Sequence, residues 1–418
     1  MLPSPEERRR LRHEKAQQRA QQQAKQKKLF IRLGAAVAVL IFSLVLILSL
    51  TGKKPDTMPD ETGASTSDAT QPSADPTATV IHYAAAGDLN INEATVAAGG
   101  SGYNYTGVFL DVAHLLADAD IASVNFEGNL CGEPYGSSFS APQSMATALQ
   151  KAGVDLVQMA NSYSINRGLS GLTSSIDAVR SAGMEPLGVY ASNAEFNQSK
   201  GYTIRTVKGI KLAFVAFTKG MDGMALPPGS EKCVNVLYSD YDSAYQTIDR
   251  EKITSILTAV SKEKPDIVIA LLHWGSEFNN TISKSQTDIT ELMFANGVDA
   301  IIGTHSHYVQ KMSFDPEKGQ FVAYSLGDFF SNAQRAGSEY SVVLDLEITK
   351  PADGKAKITG FSYTPIFTVH ETDQPLKVVR INQAIAAYEG NYLQKVSQET
   401  YDKMRYALER IEARITAE

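Results

Sequence analysis

The chain has 418 residues, 43% of them hydrophobic, and a formal net charge of −7, enough apolar material for one large core or two smaller ones. The charge is unevenly spread. Residues 1–32 carry ten Lys/Arg against three Glu, which leaves 29 basic against 43 acidic groups in the remainder. Such an acidic body lacks the basic face that a nucleic-acid backbone demands, so nucleic acid is excluded as a partner.

The first 32 residues form a basic segment, including "RRRLRHEKAQQRAQQQAKQKK" and His13. Leu33 to Gly52, "LGAAVAVLIFSLVLILSLTG", holds no charge. As a helix it spans roughly 30 Å, the hydrocarbon thickness of a bilayer. The run is longer than a signal-peptide core, and neither an A-x-A site nor a lipoprotein cysteine follows it. The sequence therefore predicts a single transmembrane anchor at 33–52. Ten basic residues before it fix the N-terminus in the cytoplasm and place the body outside the cell. Residues 53–79, rich in Ser, Thr, Pro and Asp, read as a disordered tether. Cys131 and Cys233 would share an oxidising exterior, but spacing alone does not pair them.

From residue 80, short apolar runs alternate with amphipathic ones. "TVIHYAAAGD" reads as a strand, "GVFLDVAHLLADA" as a helix, "DIASVNFEGN" as a strand, and "PQSMATALQKAG" as a helix with a glycine stop. "VDLVQMANS" and "EPLGVYA" are strands on either side of the helix "GLTSSIDAVRSAG". Then come "IKLAFVAFT", the helix "YQTIDREKITSILTAVSKE", the strand "DIVIALLHWGSE", a helix around "SQTDITELMFANG", and "VDAIIGTHSH". Short buried strands between longer helices indicate an α/β fold. After residue 320 the strands "QFVAYSLGDFF", "EYSVVLDLEI" and "KAKITGFSYTPIFTV" follow one another without helices, which suits one domain of two sheets. That domain is placed at 80–375. A helical segment at 376–418 follows, read as helix from Val378 onward.

Ligands of parallel sheets bind beyond the carboxyl ends of the strands. Here those ends carry Asp88, then Glu127 with Asn125 before it, Asn161, then His273 with Trp274 and Glu277, and finally His305 and His307. In extended chain, residues two apart share a face, so H-x-H would send both imidazoles into one crevice. Acid, amide and imidazole together suit Mn, Zn or Fe in a mixed nitrogen–oxygen site. His82, His114 and His370 read as packing residues.

"GD" at 87–88, "NFE" at 125–127, "HWGSE" at 273–277, "GTHSH" at 303–307 and "YSLGDF" at 324–329 resemble the CapA family. These are bacterial capsule or poly-γ-glutamate synthesis proteins related to calcineurin-like metallophosphoesterases. The resemblance runs from about residue 80 to 370 and implies a four-layer sandwich of two central sheets flanked by helices. It also implies a metal crevice of Asp88, Glu127, Asn161, His273, His305 and His307. Asp88 and His273 would then serve catalysis, with Tyr163 at the position of the family's histidine. The third motif, "NSYSINRG", departs from the family's pattern: Tyr163 replaces that histidine and Asn166 an aspartate. Asp328 stands where the family has asparagine and would add a carboxylate to the crevice.

Three functions remain open on this reading. The first is synthesis, export or attachment of an anionic polymer such as poly-γ-glutamate, alongside membrane synthase subunits. The second is an extracellular metal-dependent hydrolase of phosphoesters or amides. The third is a catalytically degenerate scaffold within the synthase complex.

Overall fold

In the computed structural model, the described residues are 78–333, 335–372, 374–392 and 396–417. The basic segment and the expected anchor lie outside them, as does almost all of the expected tether. Among the described residues no helix is long and apolar enough to cross a membrane.

Among the described residues there are fourteen strands: β1 (Thr79–Asn90), β2 (Ile121–Glu127), β3 (Leu156–Gln158), β4 (Glu185–Leu187), β5 (Thr203–Val207), β6 (Ile210–Thr218), β7 (Ile267–His273), β8 (Ala300–Thr304), β9 (Met312–Asp315), β10 (Gln320–Ala323), β11 (Asp328–Phe330), β12 (Tyr340–Lys350), β13 (Lys357–Val369) and β14 (Lys377–Arg380). They make two sheets. One has the order β14-β13-β12-β1-β2-β3-β4 with β11 also paired to β1, and the other β5-β6-β7-β8-β10-β9. The strands β1-β2-β3-β4 and β6-β7-β8-β10 are parallel; helices make every crossover except that from β8 to β10, which runs through β9.

Three cores set the layer order. Ile81, Tyr83 and Ala85 of β1 meet Leu212 and Phe214 of β6 and Ile269 and Leu271 of β7 between the sheets. On the other face of the first sheet, Ala84, Ala122 and Val124 pack against Met145, Leu149, Leu172 and Ile176 of helices 144–151 and 168–181. On the outer face of the second, Val215, Ala270 and Ile301 pack against Ile253, Leu257, Ile289 and Met293 of helices 250–262 and 284–295. The result is helix, sheet, sheet, helix. The helices start where their caps allow: Asp249 accepts from the Lys252 amide, and Ser283 and Gln286 form a capping box.

An aspartate precedes several of the parallel strands and ties each to its neighbour. Asp120, Asp155, Asp266 and Asp299 accept the backbone N–H of His82, Ala122, Lys211 and Val268 at 2.8–3.0 Å. These lie at the strand starts, opposite the end where ligands bind. Burial pushes the Asp299 carboxyl up to about 6, against the opposing pull of the Val268 N–H. Between about pH 4 and 6 the folded chain then holds a proton that an unfolded aspartate, with a pKa near 3.9, has released. Stability from this group is therefore full below pH 4 and lost as pH rises through 6. An asparagine at this position would keep the acceptor without the charge. Asp299→Asn is expected to stabilise the fold by roughly 1–2 kcal/mol at pH 7.5, after allowing for solvent screening, and by nothing at pH 4. Urea unfolding at both pH values checks this, and equal gains at both would contradict it.

Several sequence expectations change. The helix read over residues 107–119 breaks into Thr106–Phe109 and Ala113–Ala117. Asp111, between them, is held by the Arg380 backbone N–H at 2.7 Å. Residues 378–380, expected to be helical, are strand: β14 pairs antiparallel with β13. Helices Ile381–Glu389 and Gln398–Ile415 follow, and Met404, Ala407, Ile411 and Ile415 of the second join the core between the sheets. β5 and β9, absent from the sequence reading, are short edge strands. His114 and His370 are exposed rather than packed, and His82 is half-buried with Nδ1 3.0 Å from Asp345. Cys131 and Cys233 are free thiols.

Candidate metal centre

The carboxyl ends of both sheets open onto one crevice. The first sheet brings Asp88, Asn125, Glu127 and Asp328, and the second brings His273, with His305 and His307 just past β8. Asp88 reaches it through a bulge. β1 pairs Ala85 with Ser123 but Asp88 with Asn125, so three residues on one strand face two on the other. Simple alternation would put Asp88 on the helix-covered face with Ala84 and Ala86. The extra residue turns it to the inner face instead.

The two histidines of "GTHSH" are placed differently from the sequence expectation. β8 ends at Thr304, and His305 (φ 93°) and His307 (φ 57°) both adopt left-handed backbone. Non-glycine residues there are uncommon and strained, a pattern that clusters at functional sites. The two rings do not stand side by side on one strand face; they diverge into two groups. Glu127, His273 and His305 form one, and Asp88, His307 and Asp328 the other. Within each group the candidate ligand atoms lie within 4.8 Å of one another, and all six residues are buried.

A polar lattice holds these groups in place. The Asn125 amide donates to Asp88 at 2.6 Å and to Glu127 at 3.2 Å, and lies 3.3 Å from His273 Nδ1. The His305 backbone N–H donates to the other Asp88 oxygen at 2.9 Å. His273 Nδ1 sits 3.1 Å from the Thr304 hydroxyl and 3.3 Å from Glu127, and its Nε2 lies 3.1 Å from the Ser162 hydroxyl. His307 Nδ1 meets Asp328 at 2.8 Å and faces Asp88 at 3.9 Å.

Burial and crowding move the charges of this lattice in opposite directions. Burial pushes the Asp88 carboxyl up to about 6, with Asp328 adding to the rise and His307 opposing it. Burial, then the Asp88 charge, lifts Glu127 well above the usual carboxylate range. Burial would lower His307, but Asp328, Glu127 and Asp88 override it and hold the imidazole at about 11. His273 and His305 go the other way: burial keeps both neutral, helped by neighbouring imidazoles and Lys219. His305 Nδ1 is buried with no hydrogen-bond partner. Crowded carboxylates, two neutral imidazoles and one orphaned ring nitrogen form a donor set that a divalent cation completes. The residues fit such an ion.

The other expected site residues surround these two groups or lie beneath them. Asn161 stands behind Asn125: it donates to Asn125 at 3.1 Å and to the Phe126 carbonyl at 2.7 Å, and its own side-chain carbonyl accepts from the Tyr163 N–H. Tyr163 is half-buried and stacks on Phe139 at 4.6 Å. Burial, then Glu127 and Glu277, pushes its phenol up. Glu277 is exposed. Trp274 does not line the crevice: its ring lies in the core under the helices, stacked on Tyr324 and donating to the Tyr324 carbonyl. It directly follows His273 at the end of β7, so alternation turns it to the opposite face. Ser162 and Thr304, which hold His273, escaped the sequence reading. Their only signal was adjacency to Asn161 and His305.

The model of the family "Bacterial capsule synthesis protein PGA_cap" matches residues 82–333, more than half of the chain. The chain belongs to this family. Among curated proteins it is similar to "Capsule biosynthesis protein CapA" of Bacillus anthracis, 28% identical over 53% of each chain. It is also similar to "PGA biosynthesis protein CapA" of Bacillus subtilis, 23% identical over 56% of each. It thus spans about half the length of these relatives. Among solved structures it is similar to the calcineurin-like phosphoesterase YfkN from Bacillus subtilis, with 16% identity and a TM-score of 0.43 over 80% of this chain and 97% of that one. Every residue of the two three-donor groups falls within the family match.

Proposed function

We propose that this chain works at the cell surface in the synthesis, export or attachment of an anionic polymer such as poly-γ-glutamate. In this reading residues 33–52 anchor it, residues 53–79 tether an extracellular domain, and membrane synthase subunits are its partners. One observation carries the reading: a chain of the capsule synthesis family holds three carboxylates and three imidazoles in one buried crevice. A body with an acidic surplus repels a polyanion. A divalent ion held by Asp88, Glu127, Asp328, His273, His305 and His307 would supply the missing positive charge and Lewis acidity. The donor set suits Mn, Zn or Fe.

The test is genetic and chemical together. Cells deleted for this chain should lose surface-attached anionic polymer, and the full chain should restore it. Asp88→Asn, present at the membrane in equal amount, should not. Equal restoration by both would sink the role of the crevice. Protease added to intact cells should remove the body but spare the basic segment.

A second reading, a metal-dependent phosphoesterase or amide hydrolase, is favoured by the side-by-side arrangement of the two three-donor groups, the pattern that two-ion hydrolases use. Tyr163 opposes it, because a phenol raised by burial exchanges protons poorly at neutral pH. Turnover of a chromogenic phosphodiester with added Mn or Zn should therefore be weak. Tyr163→His is expected to raise it by about 10²-fold, the lower end of general acid–base help. No gain would mean that proton transfer at this position does not limit the reaction.

A further inference from the structure

Beside the crevice the chain opens a second recess of about 330 Å³. Ser331 and Asn332 line both this recess and the small pocket at His307 and Asp328, so the two share a wall. Asp328 and Ser331 are three residues apart in the chain, at most about 10 Å. Much of the recess comes from beyond the family match, which ends at residue 333: Thr368 of β13, His370 just after it, and Lys403 of the C-terminal helix.

Two independent features mark the recess as a place for a ligand. The first is Arg335 at its mouth. Its guanidinium lies 4.5 Å over the Phe278 ring, and Phe278 stacks on His307 at 5.0 Å. Among the described residues no carboxylate forms an ion pair with it. Glu339, also in the wall, turns its carboxylate to the Gly337 N–H, and Lys403 pairs with Glu399 at 2.7 Å. The second feature is a pair of hydroxyls. Ser331 and Thr368 are 2% and 5% exposed, and neither hydroxyl has a hydrogen-bond partner. Buried hydroxyls without partners oppose folding, so two in one recess point to a polar guest.

We propose that this recess binds a carboxylate-bearing, amide-linked segment of chain next to the segment at the crevice. Arg335 takes a side-chain carboxylate in a planar fork, and the Ser331 and Thr368 hydroxyls, covered in the wall of the recess, turn out on binding to pair with amide groups. The proposal rests on the reading that the crevice handles an anionic polymer. It adds that the C-terminal segment, outside the family match, helps select which polymer.

The probe is a fluorescent ten-residue oligomer of γ-linked glutamate, bound to the full chain in nonionic detergent with Mn²⁺ and read by anisotropy. Arg335→Ala is expected to weaken binding about tenfold, the loss of a charge-assisted pair of bonds. The double variant Ser331→Ala/Thr368→Val is expected to weaken it about fivefold. It should unfold at no lower temperature than the unmodified chain, because its hydroxyls have no partner within the fold. Mn content per chain should stay unchanged in both. If the unmodified chain binds and both variants bind equally well, the recess is overturned while the polymer reading stands. If the unmodified, Mn-loaded chain does not bind, both fall. Equal displacement by polyphosphate of matched charge would overturn the amide recognition.

Discussion

Asp88→Asn is expected to leave a folded chain that no longer retains a divalent ion. Asp88 is fully buried and sits where the two three-donor groups meet. One of its oxygens accepts from Asn125 at 2.6 Å and the other from the His305 N–H at 2.9 Å. An asparagine offers one acceptor and one donor in place of two acceptors. Its amide N–H groups must then face either Asn125 or the His305 backbone, both donors. The charge that opposes a cation's desolvation disappears as well. In metal-free protein the same change relieves repulsion among Asp88, Glu127 and Asp328 but sets two donors face to face and removes an attraction to His307, so the apo fold should stay folded with at most a modest loss of stability. The contrast is the readout. Saturating Mn²⁺ or Zn²⁺ at 100 times its dissociation constant should stabilise the unmodified chain by about 2.7 kcal/mol and the variant by about nothing. Elemental analysis of both proteins and their melting temperatures with and without metal check this. A metal-free chain that is fully functional in cells would favour the scaffold role instead.

The alternation of apolar runs with helical stretches disclosed the α/β order and the strand-end positions of most site residues, because parallel strands buried on both faces are written as unbroken apolar words such as "IVIALLH". Where each side chain points was less legible. Trp274 and His273 are neighbours in sequence and face opposite layers. His305 and His307 look like a strand pair but leave the sheet in left-handed backbone, so their rings part company. Asp88 reaches the crevice only because of a bulge that nothing in "AAAGD" announces except its glycine. The residues that hold the ligands were invisible for a different reason. Ser162 and Thr304 act through hydrogen bonds to His273 across 111 and 31 positions, and sequence spacing carries no trace of such partners. At the C-terminus the stretch read as helix from Val378 onward contains the helices Ile381–Glu389 and Gln398–Ile415. β14 was missed because four residues pairing with a distant strand are too few to show a period.

That bulge supports the largest expected effect on folding. A Cβ on Gly87 would stand 1.8 Å from the Gly327 carbonyl oxygen and 2.9 Å from its carbon, both backbone atoms that cannot rotate away. The close approach exists because the Asp88 N–H donates to that same carbonyl at 3.0 Å, which clamps β1 to β11 and sets Asp88 opposite Asp328. Gly87→Ala must break the clamp or push β11 outward. Overpacking against a relaxed side chain usually costs about 1–3 kcal/mol, and rigid backbone on both sides takes the loss to at least about 3 kcal/mol. The damage is directional, because any outward shift of β11 carries Asp328 away from His307 and opens the second donor group. A surviving folded fraction should therefore bind metal more weakly than its stability alone would explain. Gly360→Ala is the matched control, since a Cβ there meets nothing within 4 Å; it should leave both stability and metal binding near those of the unmodified chain. Urea unfolding of both variants, with metal content measured on the folded fraction, separates the outcomes. Gly87→Ala within about 1 kcal/mol of the control would show that the strands are not held by this contact.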